Sequence, residues 1–364
     1  MSPAPASGPV RGSGRAPDDE LARPISVAVM NYNGREVLPD TLAALEAVRD
    51  ERMEILVVDD GSDDGSPEWV ETHHPDVRVV RMGRNTARLN RVRNAGLAAA
   101  RHRHVFLTDN DVRVEPGCLR ALLDVMLEEP DVLCCTPRLV YHDDPGRIYH
   151  DGGGLHFLCV STDVPRGEPV ASRPAGPPRP TVGGGVMLVD TDLSDRMGGL
   201  DEGCLLGWGD DGEFHLHGRL CGHRVLHVPS AVARHVERPR GTDRALGQVY
   251  NRYRLLLTAY SSRSLLLLGP ALLAFELALT AAAAAGGFLG DRVAALRRAA
   301  RHAGELRERR REIQARRRAP DRDVLTGGAL MVPPGLRSSR LARWGAGAAA
   351  TATRLYWRLV RRWL

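Results

Sequence analysis

In the stretch HVFLTDNDVRV, residues 104–114, Asp109 and Asp111 stand one residue apart where the apolar run Val105, Phe106, Leu107 ends. Two carboxylates so placed can share a hard divalent cation. Mg²⁺ and Mn²⁺ take carboxylate and phosphate oxygens in one shell, and a cation held there neutralises a departing diphosphate. The same triplet also occurs in capped turns and solvated loops. Other short polar stretches pose the same choice: Asn31-Tyr32-Asn33, Asp59-Asp60 within ILVVDDGSDDGS, and Asp210-Asp211 within GWGDDGEF. A carboxylate such as Asp60 can accept from a base N–H, whereas Asp63 and Asp64 suit a turn. Arg93 or Arg88 can contact phosphate, or belong to a solvated helix face. His235 can offer a neutral imidazole to Mn²⁺, or serve as an ordinary surface or core histidine.

These residues need elements to bring them together. ISVAVMNYN (25–33), EILVVDD (54–60), VRVVRM (77–82) and HVFLTDND (104–111) read as strands. Between them, 37–50 has apolar residues at helical spacing. SPEWVETHH starts a helix with Ser66 as N-cap and Pro67 at the first position, and 90–101 forms a third. Alternation of this kind within about 90 residues predicts a parallel, doubly wound sheet. Ligands of such sheets bind beyond the carboxyl ends of the strands. Asn31-Tyr32-Asn33, Asp59-Asp60 and Asp109-Asp111 are therefore expected to converge on one crevice. Further on, 169–180 is a Pro-rich loop, TVGGGVMLVD (181–190) a Gly-rich start to a strand, 210–220 a helix and 224–228 a strand.

Apolar residues make up 43% of the 364, enough for a sizeable core. All 50 basic residues are Arg, and they are unevenly spread. Residues 291–318 carry a net +7, 337–364 another +7 and 319–336 −1, which leaves 1–290 at −8 within a total of +5. A basic tail on an acidic body points to an anionic partner, membrane or nucleic acid. Residues 1–23, rich in Pro, Gly and Ala, have no apolar stretch of signal-peptide type and are expected to be disordered. Six Cys without C-x-x-C spacing suit a reducing, cytoplasmic setting. Cys204, His215, His217, Cys221 and His223 fit no familiar zinc spacing. The apolar run 264–290 is long enough to span a bilayer. Pro270, Glu276 and its weakly apolar Ala stretch leave an in-plane or re-entrant helix equally open, and Arg at both ends gives no orientation. The expected organisation is a catalytic domain at 24–245, a helical extension at 246–318 with a basic helix at 291–318, a linker at 319–340, and an amphipathic Arg/Trp helix at 341–364. In that last helix Arg354, Arg358 and Arg361 lie on one side, and Tyr356, Val360 and Trp363 on another, the pattern of a helix on a membrane surface.

Five ordered blocks, VAVMNYNG, ILVVDDGSDDGS, RNAGLAAARHRHVFLTDNDV, GGGVMLVDTDLSDRMGGLDE and GWGDDGEFHLHGRLCGHRVLHVPSAVARH, resemble family 2 glycosyltransferases of the GT-A fold over about residues 25–236. The likeness is to the bacterial rhamnosyltransferase-like branch in particular. It implies an α/β fold, a Rossmann-like, mostly parallel sheet flanked by helices, with the C-terminal helices as a membrane-associating extension. It implies that Tyr32, Asn33, Asp59, Asp60, Asn85, Arg93 and Asp109 hold the nucleotide-sugar, and that Asp109, Asp111 and His235 hold Mn²⁺ or Mg²⁺. Asp211 would be the general base that deprotonates an acceptor hydroxyl in an inverting transfer. Trp208, Asp210 and Gly184 would lie on the acceptor side, with Asp210 able instead to cap the following helix and Trp208 able instead to pack. One departure is His217 where the family helix commonly has Arg. The absence of Q-x-x-R-W favours transfer of single residues.

The resemblance implies a nucleoside-diphosphate sugar donor, dTDP-rhamnose on the strength of the branch, and a lipid-linked or envelope-polysaccharide acceptor. It places the protein in the cytoplasm, at the inner face of the membrane. A sugar-nucleotide pyrophosphorylase would call for a Gly-rich phosphate loop and a Lys near the N-terminus, and neither is present. A nucleic-acid-binding protein using the Arg tail would need aromatic platforms or base-reading helices beside the charge. A degenerate, inactive relative is disfavoured by intact Asp109, Asp111 and Asp211.

Overall fold

The computed structural model describes residues 23–163, 165–237, 244–328 and 340–364. The segment 1–22, expected to be disordered, lies outside them. The first half alternates β1 (Ile25–Asn31), α1 (Leu38–Ala47), β2 (Met53–Asp59), α2 (Ser66–His73), β3 (Arg78–Arg81), α3 (Leu89–Ala99) and β4 (His104–Asp109). Then follow β5 (Val112–Val114), α4 (Cys118–Glu128), β6 (Val132–Tyr141), β7 (Ile148–His150), β8 (Gly154–His156), β9 (Val160–Thr162) and β10 (Arg179–Pro180). β11 (Met187–Asp190), α5 (Thr191–Met197), α6 (Asp210–Leu220) and β12 (Arg224–His235) complete the part that carries the motifs.

Side-chain alternation explains the layers. Ile25, Val27 and Val29 of β1, Ile55 and Val57 of β2, and Phe106 of β4 face a core shared with α1 and α4. Ala28 and Met30, Leu56 and Val58, and Val105 and Leu107 face the opposite core, shared with α3, α5 and α6. Strands buried on both sides read as unbroken apolar runs, as these do. The main sheet runs β10-β12-β6-β11-β4-β1-β2-β3. Strands β3, β2, β1 and β4 are parallel, while β11 is antiparallel to both β4 and β6. The register sets Asn31 opposite Asp59 and Met30 opposite Asp109. Three polar strand ends are therefore level along one edge.

Two local expectations are corrected. Ser66 is not the N-cap of α2: Gly65 holds that place at φ +74° and Ser66 is the first helical residue. The strand expected at 224–228 continues to His235, because its second half pairs with both β6 and β5.

The C-terminal third is also rearranged. It consists of α7 (Arg244–Ala259), α8 (Ser262–Ala285), α9 (Leu289–Arg301), α10 (Ala303–Arg316), α11 (Asp321–Val324), β13 (Leu325–Thr326) and α12 (Arg340–Val360). The basic helix expected at 291–318 is two helices joined at His302. Several of its Arg face inward: Arg309 reaches Glu213 on α6 at 2.9 Å, and Arg292 pairs with Glu276 on α8. The linker expected at 319–340 is structured over its first part, where β13 adds a parallel strand to β8. Leu325 and Val324 enter a second apolar core there. The described part of α12 likewise turns an apolar side inward. Trp357 stacks on Phe157 with ring centroids 5.5 Å apart, and Val360 and Leu364 are buried. Of the three residues expected on its apolar side, Trp363 alone is exposed, whereas Val360 is buried and Tyr356 donates from Oη to the Leu267 carbonyl at 2.5 Å.

Candidate active site

Asn31 ties the level strand ends together. Its Nδ2 donates to Asp59 Oδ1 at 2.9 Å, and its Oδ1 accepts from Asn110 Nδ2 at 2.8 Å. Asp59 is consumed by this work, also accepting from the Gly61 and Ser62 amides at 3.1 and 3.0 Å. Its neighbour Asp60 faces the crevice and accepts from the Thr86 amide and hydroxyl at 3.0 and 3.1 Å. Burial pushes the Asp60 carboxyl up, further than the Thr86 hydrogen bonds bring it down. Asn33, at φ +47°, braces the loop by donating its amide to Ser62 and accepting from the Asp63 amide.

A cavity of about 460 Å³ opens over these ends, with Tyr32, Asp60, Asn85, Arg88, Asp109, Asp111 and His235 in its walls. Asp59, Asn33 and Arg93 are not among its lining residues. Asp111 follows β4, and β12 returns antiparallel to β5 so that His235 Nε2 lies 3.7 Å from Asp111 Oδ1. The His235 ring stacks on Tyr149 at 4.0 Å. No group of three His, Cys, Asp or Glu among the described residues forms a ready metal cage.

A second cavity, of about 450 Å³, adjoins the first, and Asp109, His235, Leu89 and Leu206 line both. Its walls include Arg93, Gly184, Trp208, Asp210, Asp211 and His150. The N-cap of α6 is Gly209, at φ +96°, so the capping role considered for Asp210 is not observed. Asp210 and Asp211 both sit in the first helical turn, where the helix dipole favours negative charge. Asp211 accepts from the Gly184 amide at 2.5 Å and the Gly212 amide at 2.8 Å. Gly184 adopts φ +120°, and a Cβ there would stand 3.0 Å from Thr136 Cγ2 and 3.2 Å from His150 Nε2. Glycine thus lets the backbone present its N–H to the carboxylate.

Burial works to protonate Asp211, but the charge interaction with His215 first, and then Arg93 and the Gly184 amide, outweigh it and hold the carboxyl below its ordinary range. Burial pushes the His215 ring itself down to about 4, against the pull of Asp211. Asp210 goes the other way. Burial first, and then the Asp211 charge, push it up to about 7 against the pull of Arg93. The pair therefore sets an ionised carboxylate beside a carboxyl that holds its proton more readily. The solvated-helix alternative for Arg93 is also corrected: its guanidinium is buried, 3.0 Å from Asn90 Oδ1 and 3.6 Å from Asp210 Oδ2. Trp208 donates from Nε1 to Ser161 Oγ at 2.5 Å while facing the cavity.

Sequence reasoning missed His150, Tyr149 and the Gly152–Gly154 wall. They are positioned by Asp151, which is fully buried and accepts from Arg138 Nε at 2.7 Å, Arg179 Nη2 at 2.8 Å and His227 Nε2 at 2.9 Å. Burial opposes ionisation, but the His227 and Arg138 hydrogen bonds hold Asp151 well below the usual carboxylate range. Residues 149–154 are contiguous, but Arg138, Arg179 and His227, which fix Asp151, come from three other strands, β6, β10 and β12, at irregular separations, so no spacing announced the cluster.

Residues 26–170 match the family described as Glycosyl transferase family 2. These residues form a family 2 glycosyltransferase domain. A relative of this chain, the N-acetylglucosaminyl-diphospho-decaprenol L-rhamnosyltransferase of Mycobacterium tuberculosis, is 26% identical over 252 residues, 61% of this chain and 79% of that one. The Bacillus subtilis protein EpsH is 28% identical over 142 residues, 37% of this chain and 41% of EpsH. The chain spans only 38% to 41% of the length of the first curated relatives it matches. Among solved structures, GalNAc-T7 with UDP, GalNAc and Mn²⁺ superposes with a TM-score of 0.53 at 18% identity, over 66% of this chain and 49% of that one. The family 2 domain therefore has the GT-A fold.

Proposed function

We propose that this protein transfers a sugar, with inversion, from a nucleoside-diphosphate sugar to a hydroxyl of a lipid-linked or cell-envelope polysaccharide acceptor. One observation carries the reading: an ionised, half-buried Asp211 sits in a cavity that meets the Asp60–Asp109–Asp111 cavity at a shared wall. The donor's base and ribose lie against Tyr32, Asp60 and Asn85, and its diphosphate approaches Asp109 and Asp111. The acceptor enters beside Trp208, Asp210 and Gly184. Asp211 takes the hydroxyl proton as the acceptor oxygen bonds to the anomeric carbon and the bond from that carbon to the diphosphate oxygen breaks. Arg93 holds Asp211 ionised and so ready to accept that proton.

Asp111 and His235, with Asp109 beside them, suit Mn²⁺ or Mg²⁺, because such ions commonly take one or two protein carboxylates and complete their shell with phosphate. When bound, the ion neutralises charge on the leaving diphosphate. The mycobacterial relative's name supports a rhamnosyl donor such as dTDP-rhamnose and a lipid diphosphate acceptor. The basic C-terminal helices support a position at the inner face of the cell membrane.

A screen of nucleoside-diphosphate sugars, measuring released nucleoside diphosphate with Mn²⁺, with Mg²⁺ and with chelator, tests this reading. Turnover is expected with one donor, and Asp211→Asn should abolish it while donor binding persists. An active Asp211→Asn enzyme would remove the base assignment.

A further inference from the structure

We infer that α8, α9 and α12 form one in-plane docking surface for an anionic lipid bilayer, with α8 lying on the membrane and not across it. This rests on the membrane-face reading above and makes it specific. Among the described residues, every exposed large apolar side chain except Tyr32 and Leu206 belongs to the region from Leu257 onward. On α8, Leu266, Leu273 and Leu277 are 78%, 62% and 63% exposed. Their spacing of seven and four residues sets them on one helical stripe. Leu289, Val293 and Leu296 continue the apolar surface along α9. On α12 and the turn that follows it, Leu355 and Leu359 are exposed among the exposed Arg354, Arg358, Arg361 and Arg362.

Length and composition alone would let α8 cross a bilayer. Its other side forbids this in the folded chain. Glu276, halfway along, receives the guanidinium groups of Arg252 and Arg292, and Tyr253 Oη donates to it at 3.2 Å. Leu268 and Leu272 are buried in the core that also holds Trp357, Val360 and Leu364. A spanning α8 would surrender these contacts and carry a carboxylate and its Arg partners into hydrocarbon. Lying flat, it keeps them and buries only the stripe that is already bare.

Charge selects the occupant. The exposed Arg354, Arg358, Arg361 and Arg362 have no acid among them, so a second copy seated on this face would set Arg against Arg. Anionic headgroups complement the same arrangement, with leucines between the arginines to enter the acyl boundary.

The test uses the full chain with vesicles of phosphatidylcholine alone or mixed with phosphatidylglycerol. Flotation is expected with the mixed vesicles only, and alkaline carbonate should release the protein. Leu273→Asp with Leu277→Asp should weaken flotation by roughly a hundredfold, since each leucine lost from an apolar phase costs at least about tenfold in partition. Its thermal melting and its nucleoside-diphosphate release should match the unaltered protein. Carbonate-resistant binding would show a span and overturn the inference. So would unchanged flotation of the double variant, or a lipid-free dimer that the double variant converts to monomer. If no donor turns over but flotation behaves as stated, the transferase reading fails and the docking surface stands.

Discussion

Asp211 is ionised in a place where burial alone would protonate it, and its neighbours His215, Arg93 and Gly184 are responsible. The Gly184 amide points at its Oδ2 from 2.5 Å, and Arg93 supplies the nearby positive charge. Gly184→Ala would force a Cβ into Thr136 and His150 from a backbone conformation that L residues avoid. The expected result is a stability loss of about 1–3 kcal/mol and a fall in kcat that exceeds any change in donor KM, read by urea titration and steady-state kinetics. Replacing Asp211, the proposed base, should be more severe: Asp211→Asn should lower nucleoside-diphosphate release by roughly 10²–10⁴-fold. Equilibrium donor binding should be unchanged, because Asp211 is not among the residues lining the cavity that holds Asp60 and Asp111.

At the scale of elements, the C-terminal helices lock α6 in place. Arg309 on α10 meets Glu213 one turn beyond the α6 acid pair and approaches His217 Nδ1 at 3.3 Å. An arginine thus serves the helix after all, from another element and not from position 217. Arg254 on α7 donates to Asp201 at 2.5 and 2.6 Å just before α6. Arg309→Met would strand Glu213 in the interior, and breaking a buried pair in this way costs about 3–5 kcal/mol. Burial already pushes the Glu213 carboxyl up against the pull of Arg309, and without that arginine it rises further. A carboxyl with a raised folded pKa destabilises only where the unfolded chain ionises it. The penalty in denaturant titrations should therefore shrink as pH falls towards 4.5.

For the whole molecule, buried histidines set an acid limit. His156, His215 and His227 are held near a pKa of 4 and His217 near 3, each chiefly by burial. Unfolded, they would take up protons near pH 6.5. Between about pH 6.5 and 4 the unfolded chain binds more protons than the folded one, so stability falls as pH drops, by up to about 1.4 kcal/mol per pH unit for each ring. Asp210, near 7, and Glu213 gain protons in the folded state over part of that range and offset some of the loss. Thermal melting should decline from pH 7 towards pH 5, and replacing His227 by Gln should lessen the decline.

The alternation of apolar runs with helical spacings in residues 25–111 was sufficient to specify parallel strands and to set Asn31, Asp59 and Asp109 at one sheet edge, because periodicity is local and the βαβ connection leaves little topological choice. Tertiary structure decided what distance along the chain conceals. It chose Asp60 over Asp59 to face the cavity, since only one of two adjacent strand-end carboxylates can point each way. It brought His150 and Gly184 to Asp211 from strands that are remote in sequence. It also turned a run that read as free basic tail inward at Arg292 and Arg309. Burial and charge pairing are properties of packed surfaces, and composition does not contain them.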